Sequence, residues 1–193
     1  MTGLNDLASL YAEQEKYAEA EPLVRQVLAF REQHLGNEHP DTVRCINNLS
    51  HCCLGLRNYS EAEVLLKCAL DICERDQPGK VPKDLVTCLE NLGACYIEQQ
   101  RFSEAEPLLK RALALSEQQL GVKTITQASI LHKLAKVYAS RNTPVDALEA
   151  MSLMKRALTI LERQQPGHPY TLQVRKEYTE AIQILRKKSI LPP

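Results

Sequence analysis

Aromatic residues and glycine are scarce in this sequence of 193 residues. It contains no tryptophan, two phenylalanines and seven glycines, so that glycine stands at roughly half its average usage of about 7%. β-Sheet domains draw on aromatic and β-branched side chains and on glycine turns. Alanine, leucine, glutamate, glutamine, lysine and arginine dominate here instead, and these residues favour helices. The composition therefore predicts an all-α protein.

An excess of charge of either sign is also missing. The 24 lysine and arginine residues balance 24 aspartate and glutamate residues, whereas a general nucleic-acid binder carries a basic surplus. No run of about 18 apolar residues is present, so we expect no membrane-spanning helix. The first residues show no basic stretch followed by an apolar core, which argues against a signal peptide. We therefore expect a cytoplasmic protein that binds neither nucleic acid nor membrane.

The cysteines do not fit a disulfide framework. Their number, seven, is odd, and without a secretory signal this indicates a reducing compartment. No two of them have the CxxC spacing of a zinc site. Cysteines seven residues apart, such as Cys45 and Cys52, lie about 10 Å apart along a helix. We predict small core residues, with a redox or metal-binding role as the less favoured alternative.

What is present is a repeat. The pattern Leu-x-x-Leu-small-x-x-Tyr, in variants, begins at Leu4, Ile46, Leu89 and Leu131. Its apolar spacing of i, i+3, i+4 and i+7 forms a single stripe on a helix. An aromatic-x-x-Ala motif follows each of the first three copies at a constant distance, the fourth copy being degenerate, and a further small-apolar pair closes the unit. Each unit is therefore predicted to be a helical hairpin that buries its stripe only when neighbours stack on it.

These motifs resemble the tetratricopeptide repeat, whose usual length is 34 residues. The longer period of 42 or 43 residues and the loop His39-Pro40-Asp41-Thr42, with a second copy at 168–171, resemble the kinesin-light-chain subclass, which also occurs in nephrocystin-type proteins and bacterial arrays. The resemblance implies a right-handed superhelical solenoid of antiparallel helix pairs with a C-terminal capping helix. It departs from the family at Cys53, where a tyrosine is usual.

We predict a single array over residues 1–193. The second helix of the fourth repeat carries an insertion of three residues near Met151. The histidine–proline loop is lost at 76–84 and at 121–126. The first helix starts almost at Met1 without a cap, which favours a domain cut from a longer protein. The predicted repeats are approximately 1–42, 43–85, 86–127 and 128–170, followed by a capping helix at 171–187 and a tail at 188–193.

In the family, the first helices of the repeats line a concave groove that holds an extended peptide or a partner helix. Residues opposite the apolar stripe of each first helix would face this groove. Asparagine is a poor helix former, so its recurrence on these helices indicates amides that bind a partner's backbone, the alternative being solvated or inter-repeat contacts. The predicted groove residues are Asn5, Arg44, Asn47, His51, Glu90, His132 and Lys136.

The resemblance also suggests what the groove could hold. Kinesin light chains are known for grooves that accept peptides with a tryptophan among acidic residues. The side chains that would serve such a peptide here are Arg44, His51, His132 and Lys136. A carboxylate clamp, which grips an acidic C-terminal motif in other repeat domains, is suggested by Arg44, Asn47, Asn48, Lys133 and Lys136.

No catalytic or nucleotide-binding signature is present: GxGxxG, GxxxxGK[ST], HExxH and GxSxG are all absent. His39 and His168 belong to the loop motif and are expected to cap or turn the chain. We therefore predict a non-catalytic protein–protein interaction module, a scaffold or cargo adaptor without cofactor or metal. The alternatives are a module that self-associates through its N-terminal helix face (Leu4, Leu7, Tyr11) and a sensor or regulatory segment of a larger multidomain protein.

Overall fold

Nine α-helices and no strand make up the residues that this computed structural model describes, which are 2–75, 83–120, 124–188 and 190. The predicted all-α architecture of paired helices is confirmed. The predicted tail, apart from 188 and 190, and most of the second and third loops lie outside these residues. The helices are α1 (Thr2–Glu13), α2 (Tyr17–Leu35), α3 (Pro40–Gly55), α4 (Tyr59–Arg75), α5 (Lys83–Glu98), α6 (Phe102–Leu120), α7 (Ile125–Ala139), α8 (Pro144–Gln164) and α9 (Pro169–Lys187).

The internal contacts divide the chain into two units, Met1–Gln99 and Gln100–Pro193. In the first unit, α2 packs between α1 and α3, α4 packs between α3 and α5, and α3 also contacts α5. In the second unit, α7 packs on α6 and α8, and α9 packs on α8. The odd-numbered helices up to α7 are the first helices of the four repeats, and the even-numbered helices are the second.

The small residues of the repeated pattern are buried, as expected where paired helices approach closely. Ala8, Ser50 and Ala135 occupy this position on first helices, and Ala20 and Ala62 are the small residues of the aromatic-x-x-Ala motif on second helices. Burial of such short side chains leaves room for the backbone of a neighbouring helix. This is why the sequence repeats a small residue and not merely an apolar one.

One residue in the turn between the two helices of each repeat has a positive φ. In the second repeat, the N–H of Arg57 donates to the carbonyl of Leu54 at 3.0 Å and the N–H of Asn58 donates to the carbonyl of Cys53 at 2.8 Å. This pair of bonds is the Schellman arrangement that ends a helix with a left-handed residue. The four left-handed residues, with φ between 54° and 60°, are Glu15, Arg57, Gln100 and Asn142.

The histidine–proline motif starts α3. The Nδ1 atom of His39 accepts a hydrogen bond from the N–H of Asp41 at 3.1 Å, and Pro40 occupies the first helical position. The hydroxyl of buried Thr42 donates to the carbonyl of Gly36 at 2.8 Å. The motif therefore fixes both the start of the helix and the path of the loop that precedes it. Because proline suits the first turn of a helix, α3 starts at Pro40.

Helix α9 begins in the same way and then departs from the pattern of a first helix. His168 and Thr171 make the corresponding two contacts at 3.2 and 2.7 Å, and the helix starts at Pro169 rather than at the predicted 171. Exposed Arg175 stands where α3 has the buried Ile46. Helix α9 therefore carries a charged residue at a position that is apolar and buried on α3.

All seven cysteines lie in the described ranges, and none of them forms a disulfide bond. Six are buried, as predicted, and Cys68 on α4 is exposed. Burial, with the nearby carboxylate of Glu61, raises the pKa of the Cys53 thiol to about 11. A thiol that stays protonated at neutral pH is a poor nucleophile and a poor metal ligand, so Cys53 acts as a small core residue.

Candidate partner-binding groove

Two adjoining cavities lie along the first helices of the first unit. One has a volume of about 300 Å³ and is lined by residues of α1, α2, α3 and α5. The other, of about 390 Å³, is lined by residues of the same four helices. Asn47, Asn48 and Thr87 belong to both linings. We call the two cavities together the first-helix groove.

The smaller cavity combines apolar and polar side chains. Such a lining can receive one apolar side chain of a ligand while the polar groups bind the main chain beside it. Its apolar members are Ala8, Ala12, Val24 and Cys52, and its further polar members are Ser9, Glu13, His51 and Asn91.

The larger cavity contains both signs of charge. Arg31, Arg44 and Asp84 line it together with Asn5. Both arginines are already engaged: Arg44 forms an ion pair with Asp41, and the Nη1 atom of Arg31 donates to the carbonyl of Asp41 at 2.7 Å. The cavity is therefore polar without a strong excess of positive charge.

Asn47 is the residue that joins the two cavities. Its side chain is only 5% exposed, and its Nδ2 atom donates to the Sγ atom of Cys88 at 3.2 Å. The hydrogen bond to the thiol of Cys73, together with burial, raises the pKa of Cys88 far above its ordinary value, so that Cys88 stays a neutral thiol. The Oδ1 atom of Asn47 has no hydrogen-bond partner among the residues that the structure describes. A buried acceptor without a partner costs about 1–3 kcal/mol.

His51 is exposed at the edge of the smaller cavity and is held by an aromatic contact. Its ring packs edge-on against Tyr17, with 5.4 Å between the ring centroids. The Tyr17 ring in turn lies against Gly55, so closely that a Cβ at this position would collide with the ring carbons. The glycine at the end of α3 thus makes room for the ring that supports His51.

Of the five groove residues predicted in the first unit, four line the first-helix groove: Asn5, Arg44, Asn47 and His51. Asn5 is half-buried, and Arg44 is exposed. Glu90 is buried on α5 and is absent from both linings.

The two groove residues predicted in the second unit, His132 and Lys136, both lie on α7. Lys136 is exposed, whereas His132 is only 3% exposed. The Nε2 atom of His132 lies 2.6 Å from Oε2 of Glu177, and its Nδ1 atom lies 3.0 Å from the hydroxyl of Tyr170. Both partners are on α9, so the contacts of His132 go to the terminal helix.

This buried cluster is fully hydrogen-bonded with a neutral imidazole. A carboxylate can only accept, so Nε2 carries the proton, and Nδ1 then accepts from the hydroxyl of Tyr170. Burial lowers the pKa of His132 and outweighs the opposing effect of Glu177, while Lys136 and Lys133 add to the lowering. Burial alone would raise the pKa of Glu177, but the hydrogen bonds from His132 and Gln173 prevail and hold it below its usual value.

Comparison of the sequence with protein families decides the class of the molecule. The tetratricopeptide repeat family matches residues 1–75 and 85–163. The chain belongs to the tetratricopeptide repeat family. Members of this family are in general protein-interaction modules, and their fold is not a catalytic one. No curated protein matches the sequence closely enough to count as a relative.

Solved structures share this tetratricopeptide repeat fold. One of them contains the TPR-like repeats, nearly identical to one another, of a kinesin light chain candidate from Podosopora anserina. Its sequence is 20% identical to that of this chain, and the TM-score is 0.68 over 98% of this chain and 93% of that chain. BtubC (BKLC) from P. vanneervenii is 22% identical, with a TM-score of 0.71 over 97% of this chain and 75% of that chain. Identities this low establish the fold alone.

One groove residue of this tetratricopeptide array was not predicted from the sequence. Asn48, suggested above for a carboxylate clamp, and Asn91 belong to the recurring asparagines of the first helices and line the smaller cavity. Arg31 lines the larger cavity from α2. It follows from no first-helix pattern, because only the packing of α2 against α3 places it there.

Within the described ranges, no three histidine, cysteine or carboxylate side chains are grouped so that they could hold a metal ion. None of the helices in the same ranges is both long enough and apolar enough to cross a membrane.

Proposed function

We propose that this tetratricopeptide array binds an extended segment of a partner protein in the first-helix groove and so acts as a non-catalytic scaffold or adaptor. Buried cysteines that form no disulfide bond suit a reducing compartment, and we therefore propose that the protein acts in the cytoplasm.

The observation that carries the proposal is the Oδ1 atom of Asn47. It is a buried acceptor without a partner, at the junction of two cavities. An extended peptide offers a backbone N–H at each non-proline residue, and one of these would satisfy Oδ1. Asn48 and Asn91 stand beside it with further amide groups, so that a ligand's main chain finds both donors and acceptors along the groove.

The charges of the groove favour recognition by the main chain and by shape. Arg44 is paired with Asp41, and Asp84 lines the larger cavity together with both arginines. An acidic peptide of the kind that kinesin light chains bind would therefore have to displace Asp41 from Arg44. We propose instead that affinity comes from hydrogen bonds to the amides and from one apolar side chain in the smaller cavity, since a few buried anchors carry most of the energy of an interface.

Selection of peptides from a random library on the intact chain tests this function. Enriched peptides should bind Asn47→Ala about twofold to tenfold more weakly, as expected for the loss of one hydrogen bond. Asn37→Ala removes an exposed asparagine outside both cavity linings and should bind like the parent chain. Affinity should also change little between low and moderate salt, because charge contributes little.

Two results would contradict the proposal. Undiminished binding by Asn47→Ala would place the site elsewhere, for instance on the second helices. Affinity that falls steeply with salt would show that charge pairing, and not the amides, recognises the peptide.

A further inference from the structure

Behind the first-helix groove, two buried cysteines stand in line with the side chain of Asn47. The Nδ2 atom of Asn47 on α3 donates to the Sγ atom of Cys88 on α5 at 3.2 Å. Cys88 is in turn hydrogen-bonded to the thiol of Cys73 on α4. The three residues are at most 6% exposed. They form a row of hydrogen bonds across three packed helices, which we call the amide–thiol row.

The hydrogen bonds of this row run in one direction. A thiol has a single hydrogen, so it can donate only once. A hydrogen bond that a thiol donates raises its pKa, and one that it accepts lowers it. The bond to Cys73 raises the pKa of Cys88, whereas the bond to Asn47 lowers it. The hydrogen of Cys88 is therefore directed to Cys73, and its sulfur is left as an acceptor for Asn47.

This direction determines which end of the Asn47 amide faces the groove. Because the hydrogen of Cys88 is already used, the sulfur can receive Nδ2 but offers nothing to Oδ1. The oxygen is therefore turned away from the cysteines, and it is the atom without a partner among the described residues. The opposite orientation would set Oδ1 against the sulfur and leave neither atom with a hydrogen between them.

The same repeat position has a similar contact one repeat earlier. Cys45 on α3 precedes Cys88 by 43 residues, which is one period. Its Sγ atom accepts a hydrogen bond from Nη1 of Arg31 at 3.1 Å, and Arg31 lines the larger cavity. In both repeats a buried sulfur thus accepts an N–H group from a side chain of the first-helix groove. An alanine at either place would have no acceptor to offer.

We propose that Cys88 is a positioning residue of the groove, which holds the Asn47 amide with its oxygen toward the ligand and so makes this point of the groove specific for a backbone N–H. The inference rests on the proposed function, because it takes the occupant of the groove to be the main chain of a peptide. It adds a restriction on that peptide. The residue that meets Asn47 cannot be proline, which has no N–H.

Backbone-ester analogues of a library-selected peptide test the ligand side. An ester replaces one N–H by an oxygen atom and largely keeps the shape of the chain. At the residue that meets Asn47, the ester should bind the parent chain about twofold to tenfold more weakly than the amide does. The same penalty should vanish in Asn47→Ala, which identifies the position.

Cysteine variants then test the positioning. Cys88→Ala removes the sulfur and should reduce the ester penalty at this position to less than about twofold, because the amide is no longer held. Cys88→Ser keeps a group that both donates and accepts and should retain the penalty. The matched control is Cys95→Ala on the same helix. Cys95 is equally buried, but its sulfur contacts the carbonyl of Tyr59 and the amide of Gln99, so its loss should leave the penalty in place.

Hydrogen exchange of the Asn47 side-chain amide gives a second readout that needs no ligand. Its resonances are assigned by their loss in Asn47→Ala and should exchange with water more slowly than those of exposed Asn37. Cys88→Ala should speed this exchange, and Cys95→Ala should not. Loss of a core sulfur is common to both variants, so a purely structural effect would change both alike.

The inference is overturned by an ester penalty that is as large in Cys88→Ala as in the parent chain. Equal effects of Cys88→Ala and Cys95→Ala, or unchanged exchange of the Asn47 amide in Cys88→Ala, would overturn it as well. Failure to select any peptide would contradict the proposed function instead, and the exchange measurement would still decide whether Cys88 holds the amide.

Discussion

The hydroxyl of Tyr96 on α5 donates to the carboxylate of Glu63 on α4, and one period later the hydroxyl of Tyr138 on α7 makes the same contact with Glu106 on α6. Both distances are 3.3 Å. The last residue of the first-helix pattern is thus a link to the preceding repeat. Cys53, which stands at this position on α3, has no hydroxyl with which to make it.

Removing the hydroxyl should therefore weaken the contact between consecutive repeats. We expect Tyr96→Phe to lower the free energy of unfolding by about 1 kcal/mol, the value of one hydrogen bond in a partly buried place. Urea denaturation followed by circular dichroism measures the change. Tyr59→Phe is the control, because no hydrogen bond of the Tyr59 hydroxyl is found among the described residues, and it should fall within about 0.5 kcal/mol of the parent. An equal loss in both variants would show that the link contributes nothing specific.

The left-handed residue of the helix–helix turn offers a stabilising change. Arg57 has a φ of 60°, a conformation that costs a residue with a Cβ about 1–2 kcal/mol and costs glycine nothing. Glycine adds about 0.5–1 kcal/mol of chain entropy to the unfolded state. We therefore expect Arg57→Gly to stabilise the chain by about 0.5–1 kcal/mol, seen as a higher midpoint of thermal unfolding. Arg57→Ala removes the same charge but keeps the Cβ, so a gain of equal size in that variant would rule out the backbone explanation.

At Gly55, a steric collision should outweigh the higher helix propensity of alanine. Alanine is better than glycine inside a helix by about 1 kcal/mol, but a Cβ at this position meets the ring of Tyr17. Overpacking of this kind costs about 1–3 kcal/mol, so Gly55→Ala should destabilise the chain. Gly3→Ala on α1 is the matched control, because no atom lies within 4 Å of its Cβ position, and it should be neutral or stabilising. If the Tyr17→Ala background does not lessen the cost of Gly55→Ala, the ring is not its cause.

The cluster of His132, Tyr170 and Glu177 should make the stability of the second unit depend on pH. The pKa of His132 is lowered in the folded state, so between the unfolded pKa of about 6.5 and the lower folded value the unfolded chain binds more protons. The contribution of the neutral His132 to the free energy of unfolding is then fully present above about pH 6.5 and is lost as the solution is acidified. The lowered pKa of Glu177 acts in the same direction at lower pH.

Thermal unfolding at pH 7.5 and pH 5.5 tests this expectation. The parent chain should melt at a lower temperature at pH 5.5, and His132→Gln, which can donate and accept but does not titrate, should show a smaller difference. Lys136→Ala is a suitable comparison, since it changes an exposed charge on the same helix and should leave most of the pH dependence in place. A pH dependence as large in His132→Gln as in the parent would assign it to other groups.

The fold could be predicted from the sequence because the apolar and small positions of the first helix recur in four copies. Apolar, small and aromatic positions recur with one period, and only stacked helical hairpins bury them all. The groove was harder to predict, because the repeat pattern gives the side of the helix on which a residue lies but not how deeply its side chain is buried. Asn47 and His132 occupy the same repeat position, yet the first has an acceptor without a partner and the second is fully bonded to α9. That difference comes from residues 38 or more positions away, which no first-helix pattern contains.

Arg31 and the left-handed turn residues show a second limit. Arg31 reaches the larger cavity from a second helix, so its role depends on how two helices cross. The four residues with positive φ in the turns within the repeats are glutamate, arginine, glutamine and asparagine, where residue type alone would have suggested glycine. Their spacing of one repeat was visible, but their conformation follows from the closure of the hairpin and not from the residue type.

Helix α1 buries only the side chain of Ala8 among those that the structure describes on it. In an array where each repeat is held mainly by its neighbours, such a helix is the first to open, because local opening needs little buried surface to be exposed. Amide hydrogens of α1 should therefore exchange with solvent well before those of α3 and α5. The exchange rate of the α1 amides would therefore report how firmly α2 holds this helix.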